Sequence, residues 1–354
     1  MMFHLVPHVS LCLSSVLEAR AAHDPASKDV IYFTLSDEDG CVANTCPVVH
    51  LNDIFRFIKM MRELRRQNPN KKLIACAKAA INHLVAKTVL LLGAYMILEL
   101  KMQLDEVDRA FAVLSKDLDL LSKCFVDTSI SVHDCWMSLS YVRKLRWFDF
   151  GDDLDLAESE SDKYELCDMD EYCHYADPAN GGLHIIAPGR IFLITPPINL
   201  PGGQYWMDVG GMRQFSPTFF SDLLHSEFNS TLVLRLSHDS SPIEYDPSAF
   251  EDRGIAVESV SLGPRGSSQH HMLAAADRLI ANLRGSPGPI AVQMGGPRSG
   301  GGADESLLLA TGLMRVFGFG ASEAAAWLRM ACPPLCAAAA LHSPAAALQL
   351  SHAA

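Results

Sequence analysis

Short apolar runs alternate with amphipathic stretches along most of this chain, and that alternation constrains its fold more than any other feature. Val30-Ile31-Tyr32-Phe33 reads as a strand that ends in a polar turn over 36–40. From Asn52, a candidate N-cap, Ile54, Phe55, Ile58, Met61 and Leu64 fall on one helical face. Residues 72–76 predict a second strand, 79–100 a long apolar helix, and 105–114 and 131–145 two more helices. Strand, helix, strand, helix in this order predicts an α/β layer. A hairpin-like pair follows, Ile185-Ile186-Ala187 and Ile191-Phe192-Leu193-Ile194 around the Pro188-Gly189 turn.

The Pro/Gly-rich stretch 196–211 interrupts the pattern, and the alternation then resumes. Helices are expected over 219–227, 270–283, 304–317 and 322–330, the last capped by Ser322, with strands over 230–236, 254–262 and 289–294. At 354 residues with 49% apolar content the chain can bury two cores. The expected organisation is a tail over 1–28, a first domain over 29–197, a linker over 198–214, a second domain over 215–336 and an Ala-rich tail over 337–354.

The net charge of −12 is concentrated: between Asp149 and Glu171 stand eleven acids and one base, Lys163, so this stretch carries −10 and the rest only −2. It reads as a solvated acidic loop over 149–171. Such a surface repels phosphate backbones, and there is no basic stripe with interleaved aromatics, which argues against nucleic acid as a partner. Arg62, Arg65, Arg66, Lys71 and Lys72 read as a solvated helix end. Ten cysteines are scattered without Cys-x-x-Cys or paired ligand spacing, so no metal site or disulfide framework is expected and a reducing compartment, cytoplasm or nucleus, fits best. The longest apolar run, 88–98, is too short to span a bilayer, so no membrane association is expected. Residues 5–17 imitate a signal peptide loosely, lacking a basic start and interrupted by Pro7 and His8.

One arrangement has chemical shape: the strand 289–294, then Gly295-Gly296-Pro297-Arg298-Ser299-Gly300-Gly301-Gly302, then a helix beginning near Asp304. Backbone N–H groups of such a loop, with the partial positive charge of a helix start, favour anions. A nucleotide P-loop would need Lys and Ser or Thr after Gly300, and a dinucleotide fingerprint would need an early βαβ unit, so neither cofactor is expected.

Several short motifs, in order along the chain, give it a resemblance. They are Tyr32-Phe33; His50-Leu51-Asn52 with Phe55-Arg56-Phe57; Leu92-Gly93-Ala94-Tyr95; Leu100-Lys101; Arg109-Ala110; Asp134-Cys135; and Trp147-Phe148-Asp149-Phe150. The densest is Asp168-Met169-Asp170-Glu171-Tyr172-Cys173-His174-Tyr175, leading to Ala187-Pro188-Gly189-Arg190. Val233-Leu234-Arg235-Leu236, Ala291-Val292 and Ala326-Trp327-Leu328-Arg329 continue it. Over about residues 29 to 336 the chain resembles the mitotic-exit dual-specificity protein phosphatases, the cell-division-cycle-fourteen family. The resemblance implies two tandem phosphatase-like domains, each a central sheet flanked by helices, with chemistry in the second.

The departures fall where that chemistry belongs. The family reads His-Cys-Lys-Ala-Gly-Leu-Gly-Arg-Thr-Gly between strand and helix; placed without gaps, its nucleophilic Cys falls on Met294 and its phosphate-gripping Arg on Gly300. A thioether has no proton to lose and cannot form the phosphoenzyme. Without the guanidinium, bidentate phosphate recognition is lost, since Arg298 stands two positions early. The loop 263–268, where the general acid belongs, holds no carboxylate, while Asp304 and Glu305 would repel a phosphate. Three absences together predict a catalytically defective relative, with Gly295, Gly296, Arg298, Ser299, Gly300 and Gly301 as a vestigial phosphate loop.

Ser299 with His270 or His271 as base is a replacement to weigh against a plain loop residue and two exposed histidines. His238 and Asp239 form another candidate pair, or a turn hydrogen bond. The resemblance also places peptide-binding carboxylates near the domain junction: Glu171 matches one, Cys173 and Ala176 stand where the family has Glu, and Asp168 and Asp170 supplement it. The expected partners are phosphopeptides or basic peptide segments, Ser-Pro sites followed by a basic residue among them. The alternatives are an active Ser/Thr/Tyr phosphatase with an atypical or mis-sequenced loop over 293–302, and a structural adaptor using the acidic loop.

Overall fold

The computed structural model describes residues 2–15, 18–19, 29–35, 49–78, 82–114, 130–149, 167–238, 245–264, 269–294 and 303–332. The chain is α/β and divides into two compact units, Met1–Tyr141 and Val142–Ala354.

In the first unit, β1 (Met2–Val6), β2 (Val9–Cys12), β3 (Val30–Thr34) and β4 (Lys72–Cys76) form a sheet in the order β1-β2-β4-β3. β2 and β3 run parallel to β4, and β1 pairs antiparallel with β2 across the Pro7-His8 turn. Residues 2–12 are therefore part of a sheet and not a tail: each run is too short to stand out alone, yet the central β4 supplies the hydrogen-bonding partner. The helix α1 (Leu51–Gln67) starts at His50, not Asn52, because the Asp53 carboxylate accepts from the His50 backbone N–H at 3.0 Å. α2 (Asn82–Leu98) is apolar around most of its circumference and is the buried centre of the unit. It is followed by α3 (Leu104–Phe111) and α4 (Val132–Lys144). Gly93 of α2 lies against the indole of Trp136, whose Nε1–H donates to the Leu90 carbonyl at 3.2 Å and whose ring packs 5.0 Å from that of Phe111.

In the second unit, β5 (Phe148–Asp149) and β6 (Cys167–Asp168) pair in parallel, and α5 (Met169–Ala176) follows. The acidic loop expected over 149–171 lies outside the described residues for 150–166, and its last residues are strand and helix. The Asp168 side chain caps α5 by accepting from the N–H groups of Asp170 and Glu171 at 2.6 and 3.2 Å.

The hairpin β7 (His184–Ala187) and β8 (Ile191–Ile194) forms as expected around Gly189, which has φ +62°. Its strands extend the sheet of the second unit, so the units divide at 141/142 and not at 198–214, where the linker was placed. The presumed linker is itself structured. β9 (Trp206–Val209) and β10 (Met212–Phe215) pair across Gly210-Gly211, both at positive φ, which is the backbone a two-residue hairpin turn requires.

The remaining elements are α6 (Pro217–Ser226), capped by Ser216, β11 (Leu232–Ser237), α7 (Ser248–Glu251), β12 (Ala256–Ser261), α8 (Gln269–Gly285), β13 (Ile290–Gln293), α9 (Ala303–Phe317) and α10 (Ala321–Ala331). α10 begins at Gly320, whose N–H is accepted by Glu323 at 2.7 Å, so Ser322 is not the cap. The sheet order is β12-β11-β13-β8-β7, with the first four strands parallel. β13 is buried at every position, as a central parallel strand covered on both faces must be. Trp147, Phe317, Phe319 and Trp327 stack at ring separations of 5.3 to 5.8 Å, and Trp327 Nε1–H donates to the Ile186 carbonyl of β7 at 2.8 Å.

Candidate active site at the carboxyl edge of the sheet

β11 and β13 are neighbours, yet β11 connects outward to β12 whereas β13, reached from β12 through α8, leads on into α9. The connections reverse direction between these two strands, and in open parallel sheets the crevice beyond the carboxyl ends at such a point is the usual ligand site. The strand singled out from the sequence, β13, ends there, and the helix singled out after it is α9. Met294 directly follows β13, half-buried, its N–H donating to the Ile194 carbonyl at 3.2 Å. Gly295, Gly296, Arg298, Ser299, Gly300 and Gly301 lie outside the described residues. The helix behind the loop starts at Ala303, with Asp304 partly exposed and Glu305 1% exposed in its first turn.

Because side chains alternate along a strand, the two faces of the sheet end in different chemistry. On one face His238, 3% exposed, approaches the Gly263 carbonyl with Nδ1 at 3.0 Å and Asp304 Oδ2 with Nε2 at 3.7 Å. Gly263 holds φ +75°, a conformation that glycine adopts without strain. His238 is thus placed by a carbonyl and by the first turn of α9. Its expected partner Asp239 lies outside the described residues, and Asp304, two elements further along, was not foreseen because the approach depends on the strand order.

On the other face Arg235 and Gln293 stand side by side in register on β11 and β13. The Arg235 guanidinium lies 4.6 Å from the centre of the Tyr245 ring, and the Tyr245 hydroxyl donates to Gln293 Oε1. All three side chains are buried. Burial pushes the Tyr245 phenol up to about 12, with Arg235 pulling in the opposite direction, so the hydroxyl is neutral at pH 7.

The other sequence candidates are spread apart. His270 and His271 sit in the first turn of α8 with ring centres 6.1 Å apart, His270 exposed and the Nδ1 of His271 buried. Their proposed nucleophile, Ser299, lies outside the described residues. Asp168, Asp170 and Glu171 share the start of α5; Asp168 is engaged as the cap, whereas Asp170 and Glu171 are exposed. Cys173 is half-buried and Ala176 buried. Burial pushes the Cys167 thiol up, with the charges of Glu171 and Asp168 acting the same way, so it stays protonated and unreactive. Among the described residues no group of three or more His, Cys, Asp or Glu is arranged to hold a metal ion, and no helix is long and apolar enough to cross a membrane.

No family model and no curated protein matches the chain. Among solved structures it is weakly similar to Tk-PTP, a tyrosine phosphatase. Against the crystal structure of its active form the TM-score is 0.32 at 19% identity, covering 48% of this chain and 96% of that one. Against the crystal structure of a glycine-to-alanine mutant form the TM-score is 0.29 at 13% identity, covering 47% of this chain and 91% of that one.

Proposed function

We propose that the chain is a catalytically retired relative of the dual-specificity protein phosphatases, one that holds phosphorylated or basic peptide segments without cleaving phosphate. The observation that carries this reading is the composition of the strand-to-helix turn. A thioether at Met294 stands where a thiolate would attack phosphorus, and two carboxylates, Asp304 and Glu305, stand in the first turn of α9 where an incoming dianion would need positive charge. Peptide binding falls to the exposed Asp170 and Glu171, which present negative charge at the start of α5. The scattered cysteines fit a protein of the cytoplasm or nucleus.

The test is an assay of purified protein on p-nitrophenyl phosphate and on a phosphoserine-proline peptide. No turnover is expected, and vanadate-sensitive turnover would refute the proposal in favour of an active enzyme. Glu171→Lys should weaken capture of a basic peptide, whereas loss of binding only on neutralising the acids of 152–162 would assign the interaction to an adaptor loop. Met294→Cys with Gly300→Arg should restore tungstate binding if the turn keeps its cradle.

A further inference from the structure

Arg235 is the fourth of the six residues of β11, 8% exposed, and among the described residues no acceptor answers its charge. Among the described residues its guanidinium makes no hydrogen bond and no ion pair; its contact is the face of the Tyr245 ring. Removing a guanidinium from water is costly unless an anion or a full set of acceptors replaces the lost hydration. Among the described residues the surrounding groups do not supply one. The Tyr245 hydroxyl is neutral at pH 7 and donates a hydrogen bond to Gln293 Oε1, and Asp246, next to Tyr245 in the chain, is exposed and accepts from the Ser248 N–H at 3.1 Å. With its oxygen occupied, Gln293, in register with Arg235 on the next strand, keeps an amide NH2 that among the described residues has no acceptor either. Two adjacent strands thus carry a planar cationic fork and an amide donor, with no acceptor for either among the described residues.

We propose that Arg235 and Gln293 form a seat for a small tetrahedral oxyanion of the phosphate type, on the face of the sheet opposite to His238 and Asp304. The fork matches two oxygens of such an ion in parallel. A carboxylate would have both oxygens consumed by the fork, whereas a tetrahedral ion has a third for the Gln293 amide one strand away. Tyr245 fixes both donors: its ring carries the guanidinium and its hydroxyl orients the amide. The seat does not depend on the phosphatase-like reading, since it uses none of the glycine-rich loop.

The test is isothermal titration of the full chain with inorganic phosphate, sulfate, acetate and free phosphoserine in a chloride buffer at pH 7. One phosphate per chain is expected, with sulfate competing and acetate not; binding of phosphoserine as tightly as phosphate would assign the site to a phosphorylated side chain instead of a free ion. Arg235→Lys should weaken phosphate at least about tenfold, because the charge remains but the fork is lost, and Gln293→Leu should weaken it several-fold. The proposal falls if the wild type takes up no phosphate, if acetate displaces it equally, or if Arg298→Ala abolishes binding while Arg235→Lys retains it. Should Arg235→Lys fail to fold by circular dichroism, Gln293→Leu decides alone, and unchanged affinity in that variant overturns the seat.

Discussion

Replacing Gly93 by alanine sets two physical effects of opposite sign against each other. Helix propensity alone favours the change, since alanine in a helix interior is better than glycine by about 1 kcal/mol. Packing opposes it. A Cβ at Gly93 would stand closer than 3.0 Å to Cε2, Nε1 and Cζ2 of Trp136, well inside ordinary contact. The indole cannot simply step aside, because it is 1% exposed, is backed by Phe111 and donates to the Leu90 carbonyl. Overpacking of this kind costs about 1–3 kcal/mol, and stretching the buried hydrogen bond adds about 1 kcal/mol. After subtracting the propensity gain, Gly93→Ala should destabilise the first unit by about 1–3 kcal/mol. That corresponds to roughly 4–8 °C in Tm at the middle of the range. Urea titration followed by far-ultraviolet circular dichroism measures the loss. Trp136 is the one tryptophan of Met1–Tyr141, so near-ultraviolet circular dichroism of a variant lacking the other three reports its displacement. The double variant Gly93→Ala, Trp136→Leu should recover more than about 0.5 kcal/mol relative to additivity. A Gly93→Ala protein more stable than wild type by the propensity increment would refute the packing argument.

Three further outcomes are expected. Asp168→Ala should destabilise α5 by about 1 kcal/mol while Asp168→Asn should be nearly neutral, because the amide oxygen can still accept at the cap; equal losses in denaturant midpoint would show that charge and not capping matters. Trp327→Phe should cost about 1–3 kcal/mol, because it leaves the Ile186 carbonyl without the indole donor, read by thermal unfolding of the full chain. Tyr245 should ionise near 12 in the folded protein against about 10 in the unfolded chain. A raised folded value means that its contribution to stability is complete below pH 10 and is lost as pH rises through 12. Tyrosinate absorbance compared between wild type and Tyr245→Phe measures this, and a difference appearing near pH 10 would contradict the burial of the phenol.

Much of the fold is legible in the chain because its strands are short apolar runs punctuated by Gly and Pro: β3, β4, β8, β11 and β13 and the helices α1, α2, α8, α9 and α10 stand close to where periodicity puts them, whereas the short α7 between β11 and β12 is not expected. The elements that escape do so for physical reasons. β1 and β2 carry too few residues to register as strands until β4 pairs with them. β9 and β10 lie in glycine-rich surroundings that read as a linker, although Gly210-Gly211 is itself a hairpin turn signal. α5 hides within an acidic run because its acids serve as cap and first turn, a pattern that Asp168 followed three residues later by Glu171 could have revealed. The same contrast holds at the site. Met294 and the carboxylates of α9 follow from one contiguous stretch. The Arg235, Tyr245 and Gln293 group and the approach of His238 to Asp304 require the register of β11 against β13, which local sequence does not encode.

The borders of the five-stranded sheet carry a consequence for self-association. A strand exposed at a border is a template on which a foreign chain can assemble through its main-chain groups. At β7 an indole already occupies one outermost carbonyl, that of Ile186. At β12 the Glu258 carboxylate is gripped by Arg278 and Asn282, which plants charge beside the last strand. One border of this sheet thus has a carbonyl taken by an aromatic donor and the other carries an ion pair, and both features disfavour pairing with a foreign strand at those places.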